Sequence, residues 1–149
     1  MPHQVLLGWR EWLSLPALGI VAVRAKVDTG ARSSALHVLD QEVFQRDGRE
    51  FVRFLLDTGV PGLPPQPAEA AVIDRRRVTD SGGHTTQRIF IQTRLRLAGQ
   101  AWDAEVNLTH RKNMLFPMLL GRTALAGRFL VDPASSFLQG DPPEGLLPP

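Results

Sequence analysis

The sequence predicts an all-β domain, a small closed β-barrel with one short helix towards its C-terminal end. Apolar and polar residues alternate with the period of two of a half-buried strand, most clearly over residues 20–28 and 94–97. Gly, Pro and Asp residues separate such stretches, as they do in proteins made of short strands. Only residues 123–126, followed by Gly127, have a helical pattern that ends at a glycine. This periodicity alone fits several small β-barrels equally well.

The predicted strands follow one another along nearly the whole chain. They cover residues 4–15, 20–28, 34–39, 50–56, 70–79, 87–97, 101–109, 129–131 and 136–138. Short turns join neighbouring strands at residues 15–19, 46–48 and 97–100. The segment 59–67 is too rich in Pro and Gly for a regular element and is predicted to be a loop. Residues 80–84 form the tip of a hairpin whose arms are the strands before and after it.

Length and composition limit the class of protein. A chain of 149 residues fits one domain, predicted over residues 1–140, and the Pro-rich residues 141–149 are predicted to be a disordered tail. The absence of cysteine excludes disulfides and thiol chemistry. Arg10 and Glu11 interrupt the first apolar run, which is therefore neither a signal peptide nor a membrane span. We expect a cytoplasmic protein without a membrane partner.

Arginine carries most of the positive charge. The formal net charge is only +2, and the chain has just two lysines, Lys26 and Lys112. One interpretation is that the arginines cover solvated strand faces. Another is that some form a surface for carboxylates, because the planar guanidinium can bind a carboxylate through two hydrogen bonds. The arginines are not interleaved with aromatic residues and no recognition helix is apparent, so no nucleic-acid partner is expected.

The motif that carries most chemistry is Asp-Thr-Gly at residues 28–30. It ends an alternating strand and is followed by alanine and small hydroxylated residues. An aspartic peptidase needs its carboxylate at such a strand end, with a glycine that lets backbone donors approach. The same tripeptide recurs at residues 57–59, followed there by Val-Pro-Gly, and we interpret this second copy as accidental. The separation of the two acids, 57 − 28 = 29 residues, is far less than one lobe of a two-lobed enzyme.

A second segment supports the first copy. Residues 114–120 form an apolar strand that ends in Gly121 and Arg122. Together with Asp-Thr-Gly-Ala at 28–31, this segment resembles retropepsin-like aspartic peptidases, in which the glycine of such a strand packs behind the catalytic loop. More closely, the chain resembles a bacterial and archaeal group labelled ATP-dependent zinc proteases, which occur alongside ATP-grasp α-L-glutamate ligases. Further segments match this group in order: residues 8–12, 15–20, 77–83, 88–91 and 108–111.

The resemblance covers roughly residues 5–140 and implies a fold, a mechanism and a dimer. The fold would be the retropepsin-like (acid protease) barrel, with the tip at 80–84 either as a flap over substrate or as an ordinary exposed hairpin. One acid per chain implies a homodimer in which two Asp28 carboxylates activate a water that attacks a peptide bond. Thr29 would link the two loops and Gly30 would allow the backbone to approach. One observation favours Asp57 instead, because its interval to Gly121 is closer to that of compact viral retropepsins.

The association with glutamate ligases implies a substrate, namely glutamates added to a protein tail or short polyglutamate. Candidates for binding it are Arg32, Arg77, Ser81, Gly82, Arg88, Arg111 and Arg122. Each arginine could instead pair with an acid of the fold, Arg122 above all. A functional link to an ATP-grasp ligase follows from the same association.

No cofactor is expected. The four histidines, His3, His37, His84 and His110, are scattered, and the chain has neither a His-Glu-x-x-His helix nor a glycine-rich phosphate loop. His110 stands where the group has Asp or Asn. Two alternatives stay open: a non-catalytic β-barrel that binds a partner, and, as the old label implies, a zinc-dependent peptidase.

Overall fold

The computed structural model describes residues 4–110 and 115–143, which are mostly β-strand. The strands, in chain order, are β1 (Val5–Leu7), β2 (Arg10–Leu15), β3 (Ile20–Asp28), β4 (Ser34–Val38), β5 (Asp40–Arg46), β6 (Arg49–Leu56), β7 (Gln66–Ala71), β8 (Asp74–Thr79), β9 (Thr85–Leu97), β10 (Gln100–His110), β11 (Met118–Gly121) and β12 (Phe129–Val131). A single-turn helix, α1 (Arg122–Leu125), lies between the last two strands. The all-β prediction with one short helix is confirmed, although the helix begins and ends one residue earlier than predicted.

Six strands close into a barrel in the order β10-β4-β11-β3-β2-β9, and β9 pairs back onto β10. The alternation in the sequence places one face of each strand inside the barrel, where apolar side chains exclude water. Leu36, Ile91, Leu95 and Leu120 are fully buried there. The retropepsin-like closed barrel is thus confirmed.

Two smaller sheets flank the barrel. Strands β5, β6 and β7 form an antiparallel sheet, and β1 pairs in parallel with β12. The hairpin β5–β6 turns at Asp47 and Gly48, both with positive φ, which is the conformation that a two-residue hairpin favours. The hairpin β8–β9 is attached to the barrel through β9.

The prediction of one strand over residues 4–15 is wrong at its centre. Gly8 and Trp9 separate β1 from β2, and a Cβ on Gly8 would lie 2.3 Å from the Ser135 carbonyl oxygen. The C-terminal segment passes against the chain here, with Phe137 N–H donating to the Arg10 carbonyl. The predicted strand 136–138 is also wrong, because Phe137 has a φ of +53° and the segment is an irregular strap.

Two further differences concern the three-stranded sheet. The strand β5 was not predicted, because almost all of its residues are exposed and its sequence therefore lacks alternation. The predicted strand 70–79 divides at residues 72–73 into β7 and β8, which belong to different sheets. Strand β7 begins at Gln66, inside the predicted loop, since Pro67 is tolerated on an edge strand.

Candidate active site

Asp28 is the last residue of β3 and begins the loop that leads to β4. Its Oδ1 accepts a hydrogen bond of 2.9 Å from the Gly30 N–H, the side-chain-to-backbone turn typical of aspartate. Asp28 is half-buried, whereas Thr29 and Gly30 are exposed. The carboxylate is therefore held by its own loop at the surface of the barrel, where a substrate or a second chain can reach it.

Strand β11 lies directly behind this loop, as the resemblance implied. It runs parallel to β3, with Gly121 opposite Asp28 in the register. A Cβ on Gly121 would lie 2.5 Å from the Ser33 carbonyl oxygen and 2.9 Å from that of Ala31, so only glycine fits. The contact with β11 thus fixes the position of the loop backbone at Ala31 and Ser33.

Hydrogen bonds from β11 and α1 fasten the rest of the loop. The Gly121 N–H donates to Ser34 Oγ at 3.0 Å, and the Arg122 N–H donates to the Ala31 carbonyl at 2.8 Å. Thr123 donates through both its N–H and its hydroxyl to the Arg32 carbonyl, at 3.2 and 2.8 Å. The backbone of residues 31–34 is therefore tied down while the tip at 29–30 stays exposed.

The second Asp-Thr-Gly copy forms the same local turn in a different environment. The Gly59 N–H donates to Asp57 Oδ1 at 3.1 Å. Thr58, however, is only 1% exposed, and its carbonyl accepts from the Arg24 N–H at 2.9 Å. With Asp57 and Gly59, Arg24 lines a cavity of about 320 Å³. Thr58 is thus built into the packing between the loop and β3, in contrast to exposed Thr29.

Two of the candidate arginines lie at the loop, one within it and one on α1 beside it. Arg122 donates through Nη1 to the Gly30 carbonyl at 3.3 Å, and its side chain is exposed. Arg32 lies within the loop and is also exposed. The structure therefore brings both arginines to the residues that follow Asp28.

The hairpin arginines are divided between two faces. Arg76 and Arg88 are opposite one another in the β8–β9 register and share one face, whereas Arg77 is opposite Gln87 and points to the other. Arg88 donates to Asn107 Oδ1 at 3.1 Å, and burial lowers the pKa of its guanidinium. The structure thus does not bring Arg77 and Arg88 together, and Arg111 lies outside the described residues.

Ion pairing separates the candidate arginines from others. Arginines that form ion pairs within the described ranges are Arg46, Arg75, Arg76 and Arg94. Arg32, Arg77, Arg88 and Arg122 form none with any described acid, nor do they stack on an aromatic ring. Within the described part of the chain, no acid therefore forms an ion pair with any of these four arginines.

The hairpin tip is an ordered turn at the surface. Asp80 Oδ1 accepts from the N–H groups of His84 and Gly82, both at 2.9 Å, and these hydrogen bonds lower the pKa of Asp80. Ser81 and Gly82 are exposed, and Gly83 has a φ of +83°. The tip is thus a glycine-containing turn exposed to solvent at the end of the hairpin.

The described histidines lie apart from one another. His37 is buried, with Nδ1 2.6 Å from the Phe116 carbonyl oxygen, whereas His84 and His110 are exposed. Among residues 4–110 and 115–143, no group of three or more His, Cys, Asp or Glu side chains could hold a metal ion. Over the same residues, no helix is long and apolar enough to span a membrane.

One residue near the loop was not singled out from the sequence. Asn107 is 1% exposed and donates through Nδ2 to the Ser34 carbonyl at 3.0 Å. The sequence carries no clear signal for it, since Asn107 follows Asp103 and Glu105 at the polar positions of an alternating strand. A buried amide must find partners, and its position therefore marks a polar connection across strands.

Comparisons with known proteins find relatives that match nearly the whole chain. A protein named "Probable alpha-L-glutamate ligase" from Shewanella pealeana is 38% identical over 146 residues, which cover 93% of this chain and 31% of that protein. A protein of the same name from Desulfotalea psychrophila is 39% identical over 137 residues, 91% of this chain and 30% of that protein. The chain thus spans less than a third of the length of these relatives.

A solved structure and a family model extend the comparison. The crystal structure of Lpg0085, a protein of unknown function from Legionella pneumophila, is similar with a TM-score of 0.75 and 26% identity, covering 92% of this chain and 99% of that one. A family model described as "RimB-like: Retropepsin-like aspartic endopeptidase RimB" matches residues 6–142. The chain therefore belongs to the RimB-like family of retropepsin-like aspartic endopeptidases, the retropepsin-like group that its motifs predicted.

Proposed function

We propose that this chain is an aspartic peptidase that works as a homodimer and removes glutamates from glutamate-rich protein tails or polyglutamate. The observation that carries the proposal is the loop of Asp28: it is fastened by β11 and α1, yet it presents Asp28-Thr29-Gly30 at the surface. Two such loops, related by a two-fold axis, would bring two carboxylates together. Asp57 is less suited to this role, because Thr58 beside it is buried.

The mechanism follows from the proximity of two like charges. Two carboxylates about 3 Å apart cannot both ionise, so the pair shares one proton. The ionised Asp28 takes a proton from a water molecule as the water oxygen attacks the scissile carbonyl carbon. The protonated Asp28 of the other subunit donates to the carbonyl oxygen, and the amine leaves with a proton returned by the pair. Thr29 would link the two loops across the axis.

The substrate class is supported by the unpaired arginines and by the names of the relatives. Arg32 and Arg122 lie at the loop without a described acid to neutralise them, and such guanidinium groups bind carboxylates strongly. Relatives that contain a matching segment are named as probable α-L-glutamate ligases. A peptidase that is functionally linked to such a ligase would act on chains of glutamate. We include a functional link to an ATP-grasp ligase in the proposal. The tip at residues 80–84 would close over the bound chain.

The first test is glutamate release from a peptide with a C-terminal run of α-linked glutamates. Wild type and Asp57→Ala are expected to cleave it, Asp28→Asn to be inactive with an unchanged thermal midpoint, and a chelator to have no effect. Loss of activity in Asp57→Ala alone would assign catalysis to the second copy. Loss with chelator and recovery with zinc would favour a metallopeptidase, and a folded wild type without turnover would favour a binding module.

A mixing experiment tests the homodimer separately. Wild-type and Asp28→Asn chains are unfolded together in equal amounts and refolded. If each active unit needs two intact Asp28 residues, about a quarter of the dimers are active, so activity falls to about half of that expected from the wild-type content. Activity that remains proportional to the wild-type content would refute the shared site.

A further inference from the structure

The inference concerns a row of three side chains on one face of β10. Asp103, Glu105 and Asn107 occupy alternate positions, so their side chains share a face of the strand. Each contacts an arginine from β8 or β9. Asp103 pairs with Arg94 at 3.2 Å, and Glu105 pairs with Arg76 at 2.6 Å. The third contact, between Asn107 and Arg88, differs from the other two in the charge of the partner.

Two of these arginines are neutralised by their partners. Arg76 binds both Glu105 and Asp74, and it lowers the pKa of each carboxyl group. Arg88, which lies opposite Arg76 in the hairpin, donates instead to the neutral oxygens of Asn107 and Thr86. A carboxamide accepts the same hydrogen bond as a carboxylate but leaves the charge of the guanidinium uncompensated. Arg88 is thus held in place without an ion pair to a described acid, and Asp80 at the hairpin tip acts on it only through a longer-range attraction.

The same carboxamide is bonded to the end of the catalytic loop. Asn107 Nδ2 donates to the Ser34 carbonyl at 3.0 Å, and Ser34 Oγ accepts from the Gly121 N–H. The orientation of the amide is determined by its partners, because a flipped amide would place its NH₂ against Arg88 and its oxygen against a carbonyl. The carboxamide thus satisfies a donor on one side and an acceptor on the other, which an ionised carboxylate in its place could not do.

Building on the proposed function, we propose that Asn107 is a positioning residue that sets the specificity for acidic substrates. It holds Arg88 charged at the base of the hairpin and in a fixed relation to the Asp28 loop. Arg88 uses Nε and Nη1 for Thr86 and Asn107, and its Nη2 bonds to no described residue. Nη2 therefore remains as the donor for a substrate carboxylate, which would be bound through charge-assisted hydrogen bonds.

The test compares two peptides that differ only in a run of glutamates or of glutamines. The readout is the ratio of kcat/KM for the two peptides. Asn107→Asp keeps the shape of the side chain but forms an ion pair with Arg88, and we expect the ratio to fall about tenfold or more. Asp103→Asn is the matched control, because it removes the ion pair of Arg94 on the same face and leaves Arg88 untouched.

Arg88→Gln is the second variant, needed because Asn107→Asp also loses the donor to Ser34 and could fail to fold. It is expected to lower the ratio to the same extent. The inference would be overturned if either variant folds and keeps the wild-type ratio of kcat/KM. It would also be overturned if kcat/KM falls equally for both peptides, because that is the result of a purely structural role. Failure of the wild type to cleave the glutamate peptide would refute the proposed function instead.

Discussion

Removal of the Glu11 carboxylate tests how the two ends of the chain are joined. Glu11 is fully buried in β2, and its oxygens accept three backbone hydrogen bonds: from Gly8 at 2.6 Å, from Leu138 at 3.1 Å and from Gln139 at 3.0 Å. It therefore connects the Gly8 break to the C-terminal strap. Because the carboxylate is buried and accepts from three backbone N–H groups, we infer that its role is structural.

The expected magnitude follows from these three contacts. A hydrogen bond to a charged group contributes about 1.5–3 kcal/mol, and a buried donor left unpaired costs about 1–3 kcal/mol. In Glu11→Ala the strap can detach, so that the N–H groups of Leu138 and Gln139 reach water, whereas the Gly8 N–H stays buried. We therefore expect a loss of about 3–5 kcal/mol rather than the full sum. Glu11→Gln should lose less free energy of unfolding. Its amide oxygen still accepts a hydrogen bond, although its NH₂ group then faces an N–H donor of the backbone.

Urea unfolding followed by tryptophan fluorescence measures this loss. Trp12 is stacked on Phe137 of the strap at 6.1 Å, so its emission also reports detachment of the strap. Glu42→Ala, an exposed acid on edge strand β5, is the control and should change the free energy of unfolding by less than about 0.5 kcal/mol. A Glu11→Ala protein as stable as this control would refute the reasoning.

Two further predictions concern the loop and the hairpin. Gly121→Ala places a methyl group against two backbone carbonyls, so we expect the free energy of unfolding to fall by about 1–3 kcal/mol and kcat to be lower. Gly127→Ala is the comparison, because a Cβ at Gly127 would contact no neighbouring atom and would perturb only its own turn. At the hairpin tip, hydrogen bonds from His84 and Gly82 lower the pKa of Asp80, so the turn is favoured above the ordinary aspartate pKa and is lost as pH falls through the lowered one. The amide shift of Gly82, followed by NMR, should titrate below the ordinary aspartate range, and an ordinary midpoint would contradict this.

Local chemistry predicted the parts of the molecule that depend on neighbours in sequence. The alternation of β3 and the turn at Asp47-Gly48 were both expected and are present. In each case, the determinant is a few adjacent residues whose conformational or steric demands leave little choice. Strand β5 and the strap at 136–138 were beyond this reasoning, since their conformation depends on distant partners.

The two Asp-Thr-Gly copies show why a motif alone is ambiguous. Both form the same hydrogen bond from glycine to aspartate, at 2.9 Å in one and 3.1 Å in the other. They differ in the threonine, which is exposed in one loop and packed against Arg24 of β3 in the other. That difference is produced by a strand some thirty residues away, so no inspection of the tripeptide could reveal it.

The arginines present the same problem in terms of charge. In the sequence, Arg76 and Arg88 are equivalent basic residues of a hairpin, and each could be either neutralised or available. Which state each one has is decided by β10, where alternate positions carry Asp103, Glu105 and then Asn107. Strand register, rather than proximity in sequence, determines which arginine contacts which of these side chains. The effect of having a carboxamide at the third position can therefore be recognised only in the folded barrel. The surface that we propose for acidic substrates would therefore depend on a single uncharged position in a row of ion pairs, without any arginine being added.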